Sequence, residues 1–292
     1  MTVVVPAYNA AAELARSVPA VLALDDVDAW VWVDDGSTDG TASQLRELVA
    51  AEPRAIVVVL PENRGRASAR NAGAERAAGE TVLFLDADVT PPSDLASAMR
   101  AALQAEDVVA AVPRLRPLPD DPSDPYAVYL RRYPRGLARH MLGGSLPWRH
   151  FLTTAVAIRR SALGAAGGFD ETVDYGEDIE LASRLARRHP SGLAVCDRVV
   201  ELRGVDSLDG VLGRMDTFGR ALASMPPRVL ETAGLEVLAE ASWRRRIAGS
   251  PALAAAVRRA LPVLPERGVA LGVRYLLAHA LARAYDASDS PT

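Results

Sequence analysis

The first 115 residues alternate two textures, and that alternation restricts the fold more than any other feature of the chain. Val3 to Pro6, Trp30 to Val33, Ile56 to Leu60, Val82 to Leu85 and Val108 to Val112 are short β-branched or aliphatic runs. Such runs read as strands buried on both faces. Between them, Ala10 to Leu24, Thr41 to Ala51, Ala67 to Ala78 and Ser93 to Gln104 carry apolar residues at helical spacing. Strand and helix in strict alternation imply βαβ units, and hence an α/β fold around a doubly wound sheet. In such a sheet a ligand lies at the carboxyl ends of the strands.

From Pro113 to Trp148 the texture changes. Seven prolines mix with Arg131, Arg132, Arg135, Arg139, Arg149 and the aromatics Tyr126, Tyr129, Tyr133 and Trp148 in and beside this stretch. It reads as a long irregular excursion, either an acceptor wall and lid or a loop packed by its own aromatics. A strand from Thr153 to Ile158, a helix from Ser161 to Ala166, a Gly167-Gly168-Phe169-Asp170-Glu171 turn and a helix from Ile179 to Arg188 follow, then short strands at Val195 and Val199-Val200. The remainder reads as helical to Tyr285, through Val229 to Leu238, Ala252 to Leu264 and Val269 to Ala284, with a break at Pro226-Pro227 and a basic cluster at Trp243-Arg244-Arg245-Arg246.

Composition removes whole reaction classes. All 33 basic residues are arginine, because the chain has no lysine. P-loop phosphate binding, kinase chemistry and Schiff-base chemistry each need a lysine and are excluded. Cys196 is the single cysteine, so a disulfide framework or a multi-cysteine metal site is impossible within the chain, and a reducing compartment suits it. His140, His150, His189 and His279 lack metal-ligand spacing. The chain as a whole has a net charge of −4, and no basic recognition motif is present, so no nucleic-acid partner is expected. Its last third is nonetheless basic, which fits either a solvated arginine face or an anionic partner. Met1 is not followed by a signal-peptide pattern, and charge-free stretches such as Ile247 to Val257 fall far short of the roughly 20 residues that span a bilayer. A cytoplasmic location is expected, with peripheral contact at the inner face of the membrane left open.

Carboxylates gather at the expected strand ends. The second strand runs into Val33-Asp34-Asp35-Gly36-Ser37-Thr38-Asp39-Gly40-Thr41, and the fourth into Leu85-Asp86-Ala87-Asp88. Two carboxylates spaced two apart at a strand end suit a hard divalent cation whose shell is completed by phosphate oxygens. Helix capping explains Asp39 or Asp94 equally well. After the third strand, Asn63-Arg64-Gly65-Arg66-Ala67-Ser68-Ala69-Arg70-Asn71-Ala72-Gly73 offers a helix N-terminus and arginines, both good phosphate partners. The first strand runs into Pro6-Ala7-Tyr8-Asn9 instead of a Gly-x-Gly turn, so a dinucleotide site is not expected. Tyr175-Gly176-Glu177-Asp178-Ile179-Glu180-Leu181 places acids at a helix start, as caps or, beside a bound pyrophosphate, with one of them as a general base.

Taken in order, residues 3–9, 33–41, 63–73, 85–88, 167–171 and 176–181 resemble a family 2 glycosyltransferase of the GT-A fold. The resemblance covers roughly residues 1–190. It implies a Rossmann-like doubly wound mixed sheet with a helical C-terminal extension: residues 1–205 as the catalytic domain, 1–112 its nucleotide-sugar half and 113–205 its acceptor half, and 206–292 the extension. It implies inverting transfer of a single sugar from a nucleotide-diphosphate sugar to a small-molecule, glycan or lipid-linked acceptor. Pro6, Ala7, Tyr8, Asp35, Arg64, Gly65, Arg70, Asp86 and Ala87 would bind the donor, Asp88 would hold Mg²⁺ or Mn²⁺, and Asp178 would be the catalytic base. Trp148 and Glu177 would face the acceptor. The chain departs from the family at Val89, where many members carry a further acid, and at Val200-Glu201-Leu202-Arg203, near where relatives often have a histidine. The alternative is a nucleotide-binding scaffold of the same fold without turnover.

Overall fold

The structure is a computed structural model and describes residues 1–132, 146–173, 175–205, 207–224 and 250–289. The chain divides into two compact units, Met1–Arg116 with Gly136–Arg203, and Pro117–Arg135 with Gly204–Thr292.

The first unit begins as the alternation predicts, with β1 (Thr2–Ala7), α1 (Ala11–Leu22), β2 (Ala29–Asp34), α2 (Thr41–Leu48), β3 (Ala55–Val59), α3 (Gly65–Glu75) and β4 (Thr81–Leu85). It continues through β5 (Val89–Thr90), α4 (Leu95–Ala102), β6 (Ala110–Pro119), β7 (Ala155–Arg159), α6 (Arg160–Ala166), α7 (Glu177–Arg188) and β8 (Leu193–Val205), with α5 (Pro125–Arg132) standing in chain order between β6 and β7. The sheet has eight strands in the order β3-β2-β1-β4-β7-β6-β8-β5. Strands β3, β2, β1 and β4 are parallel, while β7 runs antiparallel to β4. The sheet is therefore mixed and doubly wound, as expected for the GT-A fold.

Period-two alternation assigns the strand residues to two cores. Val3 and Val5, Trp30 and Trp32, and Leu83 and Leu85 pack with Leu14, Val18, Leu45, Leu95 and Met99, from α1, α2 and α4. Val4, Val31 and Val33, and Val82 and Phe84 pack with Ala67, Ala69, Leu163, Leu181 and Leu185, from α3, α6 and α7. A one-residue slip in any of these strands would exchange its two sets of side chains. At Gly73 a Cβ would come within 2.2 Å of Val4 Cγ1, so only glycine lets α3 lie this close to β1.

The described residues between Pro113 and Trp148 are more regular than the sequence suggests. Strand β6 starts at Ala110, two residues later than predicted, and extends to Pro119. Pro113, Pro117 and Pro119 share one parity, so their missing N–H groups fall on one side of the strand and the other side keeps its donors. The ladder with β7 is confined to Ala110 and Ala111, before the first of these prolines. Strand β8 is likewise one continuous element in place of the separate short strands expected at Val195 and Val199-Val200.

In the second unit, α5, α8 (Leu208–Ser224), α9 (Pro251–Ala260) and α10 (Glu266–Asp289) are present. Tyr126 and Leu130 of α5 share a core with Leu208, Val211, Ala254, Leu261, Val273 and Leu276, and the Tyr126 and Tyr129 rings stack at 5.9 Å. Asp124 accepts from the N–H groups of Tyr126 at 2.7 Å and Leu208 at 3.0 Å, capping two helices with one carboxylate. The expected Val229 to Leu238 helix, the Pro226-Pro227 break, the Trp243 to Arg246 cluster, and Tyr133, Arg135, Arg139 and His140 lie outside the described residues, as does the Arg149 side chain. No helix among the described residues is long and apolar enough to cross a membrane.

Candidate functional site

The carboxyl ends of β1, β2 and β4 and the start of α3 surround a cleft of about 440 Å³. Its lining includes Pro6, Ala7, Tyr8, Asp35, Gly65, Arg70, Asp86, Ala87 and Asp88, so the structure brings together nine residues that the sequence reading assigned separately. It adds Asn9, Ala10, Glu13, Asn63, Arg66 and Ala69. Tyr8 is 47% exposed, presenting an open aromatic face at the cleft.

Each wall is fixed by side chain to backbone bonds. Asn9 adopts φ 47° and accepts from the Thr38 N–H at 2.9 Å, while Asp39 accepts from the N–H groups of Ala11 and Thr41 at 3.0 Å. Asp39 thus joins the starts of α1 and α2, as its capping reading anticipates. Asp94 instead pairs with Arg198 at 2.8 Å, and its side chain caps nothing. Asp35 accepts from the Arg64 and Gly65 N–H groups, both at 2.9 Å, binding the N-terminus of α3 to the end of β2. Burial raises the Asp35 pKa, and these two donors work against that shift. Gly36 makes the approach possible, since at φ +68° a Cβ there would meet the Glu62 backbone at 2.4 Å.

The centre of the site is Arg70, whose side chain is 2% exposed. Its guanidinium donates to Glu177 Oε1 at 2.6 Å and to Asp86 Oδ1 at 2.9 Å, linking the start of α7 to the end of β4. Burial alone would lower the Arg70 pKa, but the Asp86 and Glu177 carboxylates carry it above the ordinary value. The ring of Phe169 lies 5.6 Å from the guanidinium carbon. Asp178, next in the chain to Glu177, accepts from the Ile179 N–H at 2.8 Å. Burial first and the Glu177 charge second raise the Asp178 pKa to about 7.

Asp88 differs from the carboxylates around it. Its Oδ1 is buried without a hydrogen-bond partner. Burial and the neighbouring Asp86 raise its pKa to about 6. An orphaned, buried carboxylate oxygen beside a second carboxylate suits a hard divalent cation such as Mg²⁺ or Mn²⁺, which takes oxygen ligands and keeps room for others. Among the described residues no cluster of three His, Cys, Asp or Glu side chains is placed to hold a metal. Asp88 and its neighbour Asp86 are the carboxylates that could hold such a cation, with the rest of its shell left to oxygens from outside the chain. Val89 pairs with Leu202 and Thr90 with Glu201 across the sheet, and the Glu201 carboxylate is engaged by Arg116.

Four of the expected residues lie apart from the cleft lining: Asp178, beside Glu177 at the start of α7, and three others. Arg64 turns its side chain to Glu171, at 3.1 Å. Trp148, in a 3-10 turn, packs on the core shared by α3 and α7. Glu177 is buried in its pair with Arg70. Arg66, read from the sequence only as one of several arginines in this segment and not assigned to the donor, lines the cleft instead, with Tyr175 against its guanidinium at 5.6 Å. The signal was available: Arg66 and Arg70 are four apart on α3 and share a face, whereas Arg64 precedes the helix.

The glycine-rich turn docks on the same helix. Asn71 donates to the Phe169 carbonyl and accepts from the Phe169 N–H, both at 2.9 Å, and donates to Glu171 at 3.0 Å. Gly168, at φ +73°, leaves the space that Asn71 fills, because a Cβ would lie 2.9 Å from its Oδ1. Two motifs almost a hundred residues apart therefore form one junction beside the cleft.

The profile of glycosyl transferase family 2 matches residues 2–165. A pre-mycofactocin glycosyltransferase of Mycobacterium tuberculosis is 30% identical over 217 residues, which are 70% of this chain and 44% of that protein. An undecaprenyl-phosphate 4-deoxy-4-formamido-L-arabinose transferase of Aeromonas hydrophila is 37% identical over 122 residues, 40% of this chain and 37% of that protein. The chain thus spans less than half the length of these two relatives. Among solved structures, a mannosyltransferase of Pyrobaculum calidifontis in complex with GDP-Man and Mn²⁺ superposes with a TM-score of 0.65 at 23% identity, over 98% of this chain and 87% of that one. TarS of S. aureus in complex with UDP reaches a TM-score of 0.56 at 16% identity, over 99% and 89%. These likenesses establish the fold, a GT-A fold. The ordered motifs, the mixed sheet and the match over more than half of the chain agree: the chain belongs to glycosyl transferase family 2.

Proposed function

We propose that the chain transfers a single sugar from a nucleotide-diphosphate sugar to an acceptor, with inversion at the anomeric carbon. The observation that carries this reading is the orphaned Asp88 oxygen in a cleft at the strand ends, where a doubly wound sheet receives its ligand. The nucleoside would lie along Pro6, Ala7 and Tyr8, with Asp35 toward the base and Gly65 closing the wall. Arg66 would neutralise the diphosphate, and Asp86 and Ala87 would meet the ribose or sugar. Asp86 and Asp88 would hold Mg²⁺ or Mn²⁺, which when bound supplies positive charge against the departing diphosphate.

Asp178 would act as general base. A carboxylate whose pKa stands at about 7 is matched to taking a proton from a hydroxyl near neutral pH. It would accept the acceptor proton as the acceptor oxygen attacks the anomeric carbon opposite the diphosphate, so the new glycosidic bond forms as the bond to phosphate oxygen breaks. Arg70, bound to both Asp86 and Glu177, would fix the distance between the donor side and the base. Trp148 and Glu177 would support the acceptor side indirectly. One relative is named an undecaprenyl-phosphate 4-deoxy-4-formamido-L-arabinose transferase, so a polyprenyl phosphate is an acceptor to try beside hydroxyl acceptors. Its ionised oxygen would attack without passing a proton to Asp178, so the base role is read with a hydroxyl acceptor.

Thermal shifts with UDP, GDP, dTDP and CDP, each with Mn²⁺, Mg²⁺ or EDTA, test the donor site. One nucleotide should raise the melting temperature in a metal-dependent way, and Asp88→Ala should abolish the rise. No shift with any nucleotide on folded protein would overturn the reading.

A further inference from the structure

We infer that the corner between α9 and α10 is a docking surface for an anionic lipid bilayer. The residues there are exposed and apolar where a helical unit would ordinarily be polar. A 3-10 turn, Leu261–Val263, joins the two helices, and Val263 at its tip is 83% exposed. Leu264 follows, itself exposed, and Leu271 on α10 is 60% exposed. Gly268 sits beside Leu264, where a Cβ would come within 3.1 Å of the leucine Cβ, so Leu264 lies against the start of α10 on the side that leads to Leu271. Pro262 and Pro265 bracket the tip and stiffen it.

Two stripes run along α10. Val269, Val273 and Leu276 are buried in the unit's own core, and Ala280 is buried one turn further on. Arg267, Leu271, Arg274 and Ala278, offset from them by half a turn, are exposed. The core accounts for the first stripe and leaves the second without a partner among the described residues.

Charge identifies the occupant. Residues 250–285 contain five arginines and one acid, Glu266. Glu266 is bound to Arg131, Arg258 to Asp209, and Arg283 to Asp216. Arg259, Arg267 and Arg274 make no ion pair among the described residues, and all three are exposed, Arg259 and Arg267 four residues to either side of Val263 and Arg274 three beyond Leu271. Apolar side chains flanked by uncompensated arginines complement a surface with a hydrocarbon interior and anionic headgroups. A protein partner would more commonly meet arginine with acids of its own and cover apolar area over a broader face. Since no described helix spans a membrane, the contact is interfacial. This inference does not depend on the donor site.

Sedimentation of the full chain with vesicles tests it, using phosphatidylglycerol in phosphatidylcholine against phosphatidylcholine alone. Binding to the anionic vesicles, weakened by salt, is expected. Val263→Asp with Leu271→Asp should reduce that binding by at least about tenfold, because each removes an inserted apolar side chain. Arg259→Gln, Arg267→Gln and Arg274→Gln together should remove the preference for anionic lipid. All these positions are exposed, so the variants should melt as the parent does. Failure of the parent to bind anionic vesicles, or binding unchanged by the apolar substitutions, would overturn the inference. So would a halved mass in solution for Val263→Asp, which would make the patch a contact between two copies. Nucleotide thermal shifts on the same variants read the donor site separately, so failure of one proposal is not mistaken for failure of the other.

Discussion

Helix α3 contributes two arginine–carboxylate contacts of the same chemistry in opposite surroundings. At its N-terminal end, Arg64 meets Glu171 with side chains 54% and 40% exposed. Two turns on, Arg70 meets Glu177 and Asp86 with its own side chain 2% exposed. Water screens the first pair, and its two long side chains lose freedom to form it. The second is removed from water, so each charge depends on its partners being present. Burial, more than contact geometry, decides which of the two the fold relies on, and the comparison can be broken experimentally at both ends.

The largest effect is expected at Arg70. Arg70→Met keeps much of the volume but strands Glu177, which is 4% exposed, beside Asp86 and Asp178. Removing one partner of a buried pair costs about 3–5 kcal/mol, and urea unfolding should show a loss of that size together with loss of transfer. A loss below about 1 kcal/mol would mean that Glu177 finds water or protonates freely, and that the two ends of α3 do not differ as argued.

Asp178 sharpens the same comparison, because it lies within reach of the Arg70 charge yet keeps a raised pKa. Asp178→Asn should lower turnover by about 10²- to 10⁴-fold, the usual worth of a general base, while nucleotide-induced thermal shifts persist. In the parent enzyme, transfer should rise with pH through about 7 and level off above it, as the carboxylate forms. Stability should move the other way. Between the model-peptide value of 3.8 and about 7 the folded chain holds a proton that the unfolded chain has released, so this group's contribution declines as pH rises through that window. The asparagine variant should lose that part of the slope in melts taken across pH 4 to 7. A rate profile without a step near 7 would remove Asp178 from the base role.

The sequence shows α3's surroundings unevenly. The strands and their two faces were legible because strand periodicity follows directly from burial, as in Trp30 and Trp32 against Val31 and Val33. The cleft was legible because Asp35, Asp86 and Asp88 all stand at strand ends. Partner choice was not. Arg64 and Arg70 look alike in the chain, and only the arrival of Glu171 and Glu177 from beyond residue 165 engages each with its carboxylate and leaves Arg66 toward the cleft. The prolines of β6 misled for a related reason. Each reads locally as a strand breaker, and their shared parity matters only once one side of the strand has no ladder to complete. Such facts belong to pairs of distant segments, and a local pattern does not encode them.

The smallest effect is expected at the exposed end. Arg64→Ala removes a side chain whose ion pair is half in water, so the unfolding free energy should change by about 0–1 kcal/mol. Glu171 is left with donors from Asn71 and Ser68, which already hold its pKa below the ordinary value. The Arg64 backbone N–H still binds Asp35, since the substitution leaves the main chain intact. The nucleotide-induced thermal shift should therefore survive, with Arg66 supplying the positive charge at the cleft. Arg66→Ala provides the contrast, because it should weaken that shift with as little effect on stability in the absence of nucleotide. If Arg64→Ala instead abolished nucleotide binding and Arg66→Ala preserved it, the donor's phosphates would lie toward Glu171, and the helical face shared by Arg66 and Arg70 would be a packing feature of α3.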